Sequence, residues 1–200
     1  MRVLIVGGTG TIGEAVKNEL CQRHEVIAAG HRGGDVSVDM TDLASIEKMY
    51  KKVGRIDALI VTAGAVHFEA LEKMSLAKYQ IGLQSKLIGQ VNLVLAGLSF
   101  LNDKGSFTLT SGSAPHDPYR CGSSAAMVNG GIEGFIKGAA IEMPRGIRIN
   151  GVSPTVLAES MQEYGDYFRG FTPVPSKKVA IAYSKSVEGA QTGQVYCVWS

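Results

Sequence analysis

Cysteine is scarce in this chain: Cys21, Cys121 and Cys197 are odd in number, far apart and without a CxxC pair. Such a set excludes a disulfide framework and suits a reducing compartment. Histidine is nearly as thin. His24, His31, His67 and His116 show no metal-ligand spacing, so no metal is expected. No basic run stands out of a formal net charge of +2, which leaves a nucleic-acid partner without its electrostatic footprint. Long apolar runs are missing too. The longest, near Leu93–Leu101, is interrupted and falls short of the roughly 20 residues that span a bilayer. The opening MRVLIVGGTG is too short and glycine-rich for a secretory signal. These absences lead to the expectation of a soluble, cytoplasmic protein with neither membrane nor nucleic acid as partner.

The pattern that remains is regular. Short β-branched apolar runs alternate with stretches of helical period, the signature of an α/β, Rossmann-type doubly wound parallel sheet with helices on both faces. Seven strands are expected, at Arg2–Val6, Glu25–Ala29, Val36–Val38, Ala58–Thr62, Ser106–Thr110, Arg148–Ser153 and Gln194–Val198. Helices are expected at Gly13–Arg23, Asp42–Lys52, Ser75–Leu101 with a break, Ser123–Met143 and Ser176–Glu188. Pro144, having no N–H, should end the fourth. No linker or internal repeat divides residues 1–200, so one domain is expected. The least patterned segment, Pro154–Pro175, follows a strand's carboxyl end, where open α/β sheets bind ligands, and is a candidate substrate lid.

In VLIVGGTGTIGEAV, Gly7, Gly10 and Gly13 recur every three residues between a strand and a helix. That context reads as a dinucleotide loop, in which glycine permits the tight turn and the helix N-terminus holds a pyrophosphate. The second strand, EVIAAG, leads into His31 and Arg32 rather than into an acid for the ribose 2′-hydroxyl. A guanidinium there pairs with a 2′-phosphate, so NADP(H) is expected to be preferred, with NAD(H) as the alternative. Asp39 is a candidate for the adenine amino group or for capping the helix that begins near Asp42.

The chain resembles the short-chain dehydrogenase/reductase family through GGTGTIG, VDMTD, VTAG, GSFTLTSG and above all IEMPRGIRINGVSP. The resemblance implies an NAD(P)-dependent oxidoreductase acting on a small carbonyl or alcohol substrate. Its implied cofactor contacts are Gly7, Thr9, Gly10, Thr11, Ile12, Gly13, His31, Arg32, Asp39, Ala63, Gly64, Pro154 and Val156. It also implies a homodimer or homotetramer, through the small and apolar surfaces of Ser85–Leu101 and Ser123–Met143.

The catalytic positions depart from the family pattern. Ala125 stands where the family has its tyrosine, Asn129 where it has the lysine four residues on, Gly112 at the serine and Lys86 at the upstream asparagine. Thr62 replaces an asparagine, Thr11 a loop glycine, and Thr155 the glycine after Pro154. Hydride transfer to a carbonyl builds charge on oxygen that some group must stabilise and protonate. Candidates are Lys86, a cation predicted to reach the site; Tyr119, brought in by a loop shift; the hydroxyls of Ser111 and Ser113; and Asn129, which can hydrogen-bond a ribose. A hydrolase reading of Ser113, His116 and Asp117 fails, because three groups within five residues cannot converge as a triad and no GxSxG elbow is present. Two readings remain: an NADP(H)-dependent oxidoreductase with a non-standard site, and a non-catalytic NADP(H)-binding sensor or partner subunit.

Overall fold

Strands buried on both faces read as unbroken apolar runs, and here the alternation within each run shows which face a residue serves. The computed structural model describes residues 1–200. Its strands are β1 (Arg2–Val6), β2 (Glu25–Gly30), β3 (Val36–Ser37), β4 (Ile56–Val61), β5 (Leu101–Thr110), β6 (Arg148–Pro154) and β7 (Val195–Val198). All pair in parallel, in the order β3-β2-β1-β4-β5-β6-β7. This is the expected doubly wound sheet, with its switch of direction between β1 and β4.

The helices are α1 (Thr11–Leu20), α2 (Leu43–Val53), α3 (Leu76–Gly82), α4 (Gly89–Gly97), α5 (Ser123–Ala140), α6 (Met161–Tyr164) and α7 (Ser176–Glu188). On one face Leu4, Val6, Leu59, Val61, Phe107 and Ile149 meet Ile46 and Met49 of α2, Leu93 of α4 and Ile132 and Ile136 of α5. On the other Val3, Ile5, Ala58, Ile60 and Val152 meet Val16 and Leu20 of α1 and Val179, Tyr183 and Val187 of α7. Adjacent strand residues thus feed different cores, so both must be complete for the strand ends to hold their places.

Several expected boundaries shift. The strand at Ser106–Thr110 begins at Leu101, because the ladder with β4 slips: Ile56 faces Leu101, yet Ala58 faces Ser106. The intervening residues bulge, with Lys104 at φ 63°. Helix α5 stops at Ala140 and not at Met143. Ile141 is 87% exposed, so the chain has already run off the core before Pro144, which opens a 3-10 turn instead of ending the helix. The break expected within Ser75–Leu101 is absent. Between α3 and α4 the helix continues through a π turn, Leu83–Ile88.

Candidate active site

The loop between β1 and α1 is shaped for an anion. A Cβ at Gly13 would lie 2.0 Å from Gly7 O, so only glycine lets the helix start this close to the loop. Gly10, the N-cap of α1, offers no side-chain cap, which leaves the first-turn N–H groups of Thr11, Ile12 and Gly13 free to bind a ligand. Thr62, in place of an asparagine, keeps a tie to this loop: its Oγ1 donates to Gly7 O at 3.0 Å. These features fit the pyrophosphate of the dinucleotide implied by the sequence.

At the end of β2, His31 and Arg32 are exposed and Arg32 has no ion-pair partner in the protein. The turn they occupy rests on Thr9, which a Cβ at Gly30 would approach to 3.3 Å. The one acid in this turn, Asp35, is directed inward, its carboxylate accepting from Ala28 N at 2.8 Å. Asp39 does not cap the next helix; Asp42 does, accepting from Ala44 N at 3.0 Å. The Asp39 carboxylate instead accepts from the hydroxyl and N–H of Thr41, which hold it below the usual carboxylate range.

A cleft of about 250 Å³ lies past this loop, over the carboxyl ends of β4, β5 and β6. Its lining brings together Ile12, Ala63, Gly64, Lys86, Ser111 and Ser113 with Tyr119, Asn129 and Pro154. Val156 is set apart from them, buried at the base of the lid segment, where its carbonyl accepts from Val174 N. Gly7, Gly10 and Thr9 lie toward the loop and not in this cleft.

Lys86 sits within the π turn, a distortion that often marks functional sites. Its carbonyl accepts from Gln90 Nε2 at 3.0 Å, and the same amide also pairs with the N–H and carbonyl of Thr110 at the end of β5. The buried Gln90 thus sews the π turn to the sheet. The Lys86 stem crosses Gly64, where φ is +140° and a Cβ would meet Lys86 Cγ at 2.8 Å. Nζ then donates to Ser111 O at 3.3 Å. Burial pushes this ammonium down from 10.5 to about 8. A cation with this value is charged at neutral pH and gives up its proton readily, as an acid facing a developing alkoxide must.

Ala125 and Asn129 lie on the α5 face that lines the cleft, one helical repeat apart. Ala125 has no group to offer. Asn129 is 4% exposed and its Oδ1 has no partner, as is also true of Thr155 Oγ1 in the same lining. Two orphaned polar atoms at one cleft suit a ligand with hydrogen-bonding edges, such as a ribose or a carboxamide. Ser113 is buried, and its carbonyl accepts from the N–H groups of His116 and Asp117 in a tight turn. The His116 ring turns away, to Glu133.

Tyr119 does reach the cleft, but as an apolar wall. Its ring lies 4.1 Å from that of Phe168 and 6.2 Å from that of Phe68, and burial pushes its hydroxyl up to about 12. Phe168 belongs to the lid segment, which folds back through a bridge between Leu157 and Val174. The segment is pinned to α7 by Glu159, whose carboxylate accepts from Ser176 N at 3.0 Å and Ser176 Oγ at 2.5 Å. Gln90, Phe68, Phe168, Glu133 and Glu159 all escaped sequence reasoning, and Thr155 was read only as a departure from the family pattern. Only for Gln90 and Glu133 was there a signal: each is a long polar residue in an apolar or glycine-rich helical stretch, four residues after a candidate site residue.

A family described as enoyl-(acyl carrier protein) reductase matches residues 10–197. No curated protein matches the chain. Among solved structures, the protein lin1944 from Listeria innocua is 53% identical over the whole of both chains, with a TM-score of 0.98. A small-chain dehydrogenase is 26% identical over 99% of this chain and 95% of its own, with a TM-score of 0.85. Another, solved in complex with NADPH, is 25% identical over 99% of this chain and 96% of its own, with a TM-score of 0.89.

Proposed function

Because the chain belongs to the short-chain dehydrogenase/reductase family of NAD(P)-dependent oxidoreductases, we propose that it uses NADP(H) to interconvert a small carbonyl compound and its alcohol through a site built on Lys86. The observation that carries this reading is the Lys86 ammonium, at about 8, held over Gly64 beside the glycine loop. NADPH, when bound, supplies the hydride. The first-turn N–H groups of α1 hold the pyrophosphate, and the unpaired guanidinium of Arg32 meets the 2′-phosphate. Asn129 and Thr155 orient the nicotinamide end with the polar atoms that now lack partners. Lys86 turns from Ser111 O toward the substrate oxygen, stabilises the charge that develops there and protonates it. Phe68, Tyr119 and Phe168 exclude water. The NADPH bound by the relative at 25% identity supports the cofactor choice.

The test has two arms. Nicotinamide fluorescence should report tighter binding of NADPH than of NADH, and absorbance should report oxidation of NADPH that depends on an added aldehyde, ketone or quinone. Ala125 and Asn129 support a second reading, a non-catalytic NADP(H)-binding sensor or partner subunit. Under that reading only the double substitution Ala125→Tyr with Asn129→Lys creates turnover; the Lys86 reading requires turnover in the unaltered protein.

A further inference from the structure

Glu133 is an acid without a role so far, buried in α5 at 6% exposure between the core residues Ile132 and Ile136. A carboxylate there is costly unless its oxygens are satisfied, and both are. Oε1 accepts from Ser111 Oγ at 2.8 Å, while Oε2 lies 2.7 Å from His116 Nε2. The His116 side chain is 46% exposed. A continuous line of hydrogen-bonding groups therefore joins the cleft wall to solvent. At its inner end stands Ser111, whose carbonyl also holds the Lys86 ammonium. Its outer end is flanked by the ring of Trp199, 5.6 Å from the imidazole, and by the Cys197 thiol, which burial and then Glu133 raise. His116 is the only basic side chain within ion-pair distance of Glu133. The order of groups excludes a hydrolytic triad, because the carboxylate and not the imidazole meets the serine.

Resting on the reductase reading above, we propose that Ser111, Glu133 and His116 form the route by which protons pass between solvent and Lys86. During reduction the carbonyl carbon gains a hydride with its electron pair from NADPH, which becomes NADP⁺, and the carbonyl π pair moves to oxygen. That oxygen takes a proton from Lys86 Nζ. To regain one the amine must move from the Ser111 carbonyl oxygen to the hydroxyl of the same residue and take the Oγ–H proton; the Glu133 carboxylate, protonated on Oε2 by the His116 imidazolium, returns a proton to Ser111 from Oε1, and His116 takes one from water. One proton enters and one is consumed. Alcohol oxidation runs the same route outward. The route does the job that a tyrosine and lysine at 125 and 129 would do, from one repeat further along the same face of α5.

The test uses the full-length protein with 9,10-phenanthrenequinone or, if that is not reduced, the best substrate from a panel of aldehydes and ketones. Glu133→Gln keeps the size and one hydrogen bond but passes no proton, and should slow turnover by about 10²-fold with NADPH affinity unchanged. His116→Ala, at a half-exposed position, should also slow turnover, and added imidazole should restore it. In the cofactor-free protein, ¹⁵N-edited spectra should show the Nε2–H of His116 hydrogen-bonded, with its resonance displaced in Glu133→Gln, where a neutral amide replaces the carboxylate. Wild-type rates in both variants would overturn the route and leave the reductase reading standing. Losses that imidazole does not restore, accompanied by a lower melting temperature, would also overturn it, since they mark a merely structural tie. If Glu133→Gln does not fold, the imidazole experiment on His116→Ala decides alone. Should the unaltered protein bind NADPH but reduce no carbonyl, the reductase reading falls and the route with it.

Discussion

Replacing Lys86 with methionine should make the protein more stable and less active. The stem and volume are largely kept, and a flexible thioether packs well over Gly64. What disappears is a cation that the fold holds against its preference. Its fall from 10.5 to about 8 corresponds to about 3 kcal/mol at about 1.4 kcal/mol per tenfold change in proton affinity. The lost bond from Nζ to Ser111 O returns about 1 kcal/mol, and the partial exposure of the Lys86 side chain reduces the remainder further. A net gain of about 1–2 kcal/mol is expected below pH 8. Between about 8 and 10.5 the unfolded chain keeps the proton that the folded protein has released, so the wild type gains stability as pH rises through that window. The gap between the two proteins should therefore close at alkaline pH. Denaturant unfolding at about pH 6 and above about pH 10.5 measures it. Equal stabilities at the lower pH, or a gap that widens with pH, would refute the argument. Turnover should fall by about 10²-fold in Lys86→Met with NADPH affinity kept, and in the wild type reduction should slow as pH rises past about 8.

Arg32→Ala should lower the preference for NADPH over NADH by about 1.5–3 kcal/mol, roughly 10- to 100-fold by fluorescence titration; an unchanged ratio would release Arg32 from its role. Gly13→Ala drives a Cβ into Gly7 O, so NADPH binding should vanish and the melting temperature should fall; tight binding in that variant would show that the loop seats no pyrophosphate. Tyr119→Phe should turn over within about twofold of the wild type, because the hydroxyl, pushed up to about 12, is a poor acid; a large loss would move the proton donor from Lys86 to Tyr119. Ile88, Leu95 and Met127 leave apolar surface exposed on the π turn, α4 and α5, so light scattering should report a dimer or tetramer, and a monomer at micromolar concentration would count against assembly there.

The sheet was legible because its evidence is local. A strand such as VLIV buried on both faces carries its own signature, and GGTGTIG between a strand and a helix specifies the loop without help from distant residues. The cleft lining could be reached only by pairing strand ends across the sheet, and the resemblance supplied those pairings for Lys86 and Asn129. It could not supply contacts that the family pattern does not contain. Gln90 to Thr110 spans 20 residues, Ser111 to Glu133 spans 22, and no local periodicity links them. The π turn was missed for a related reason. The apolar period slips there, and a slip read from sequence looks the same as a break.

That turn makes Lys86 depend on chain length rather than on residue type. A regular α-helix advances about 100° per residue, and a π turn accommodates one residue more than the regular path needs. Deleting Leu87 or Ile88 would let this stretch close to a regular α-helix, with α4 seated on its core contacts and α3 still in phase with it, and would turn the residues of the π turn just before the deletion by about that angle. Lys86 and the Ser85 hydroxyl that holds Ala65 N would swing out of the cleft together, with no side chain in the site replaced. For this helix an indel is a more drastic edit than most substitutions, and chains of this fold that differ by one residue here should be compared in the helical phase of their cations before their sequences are aligned.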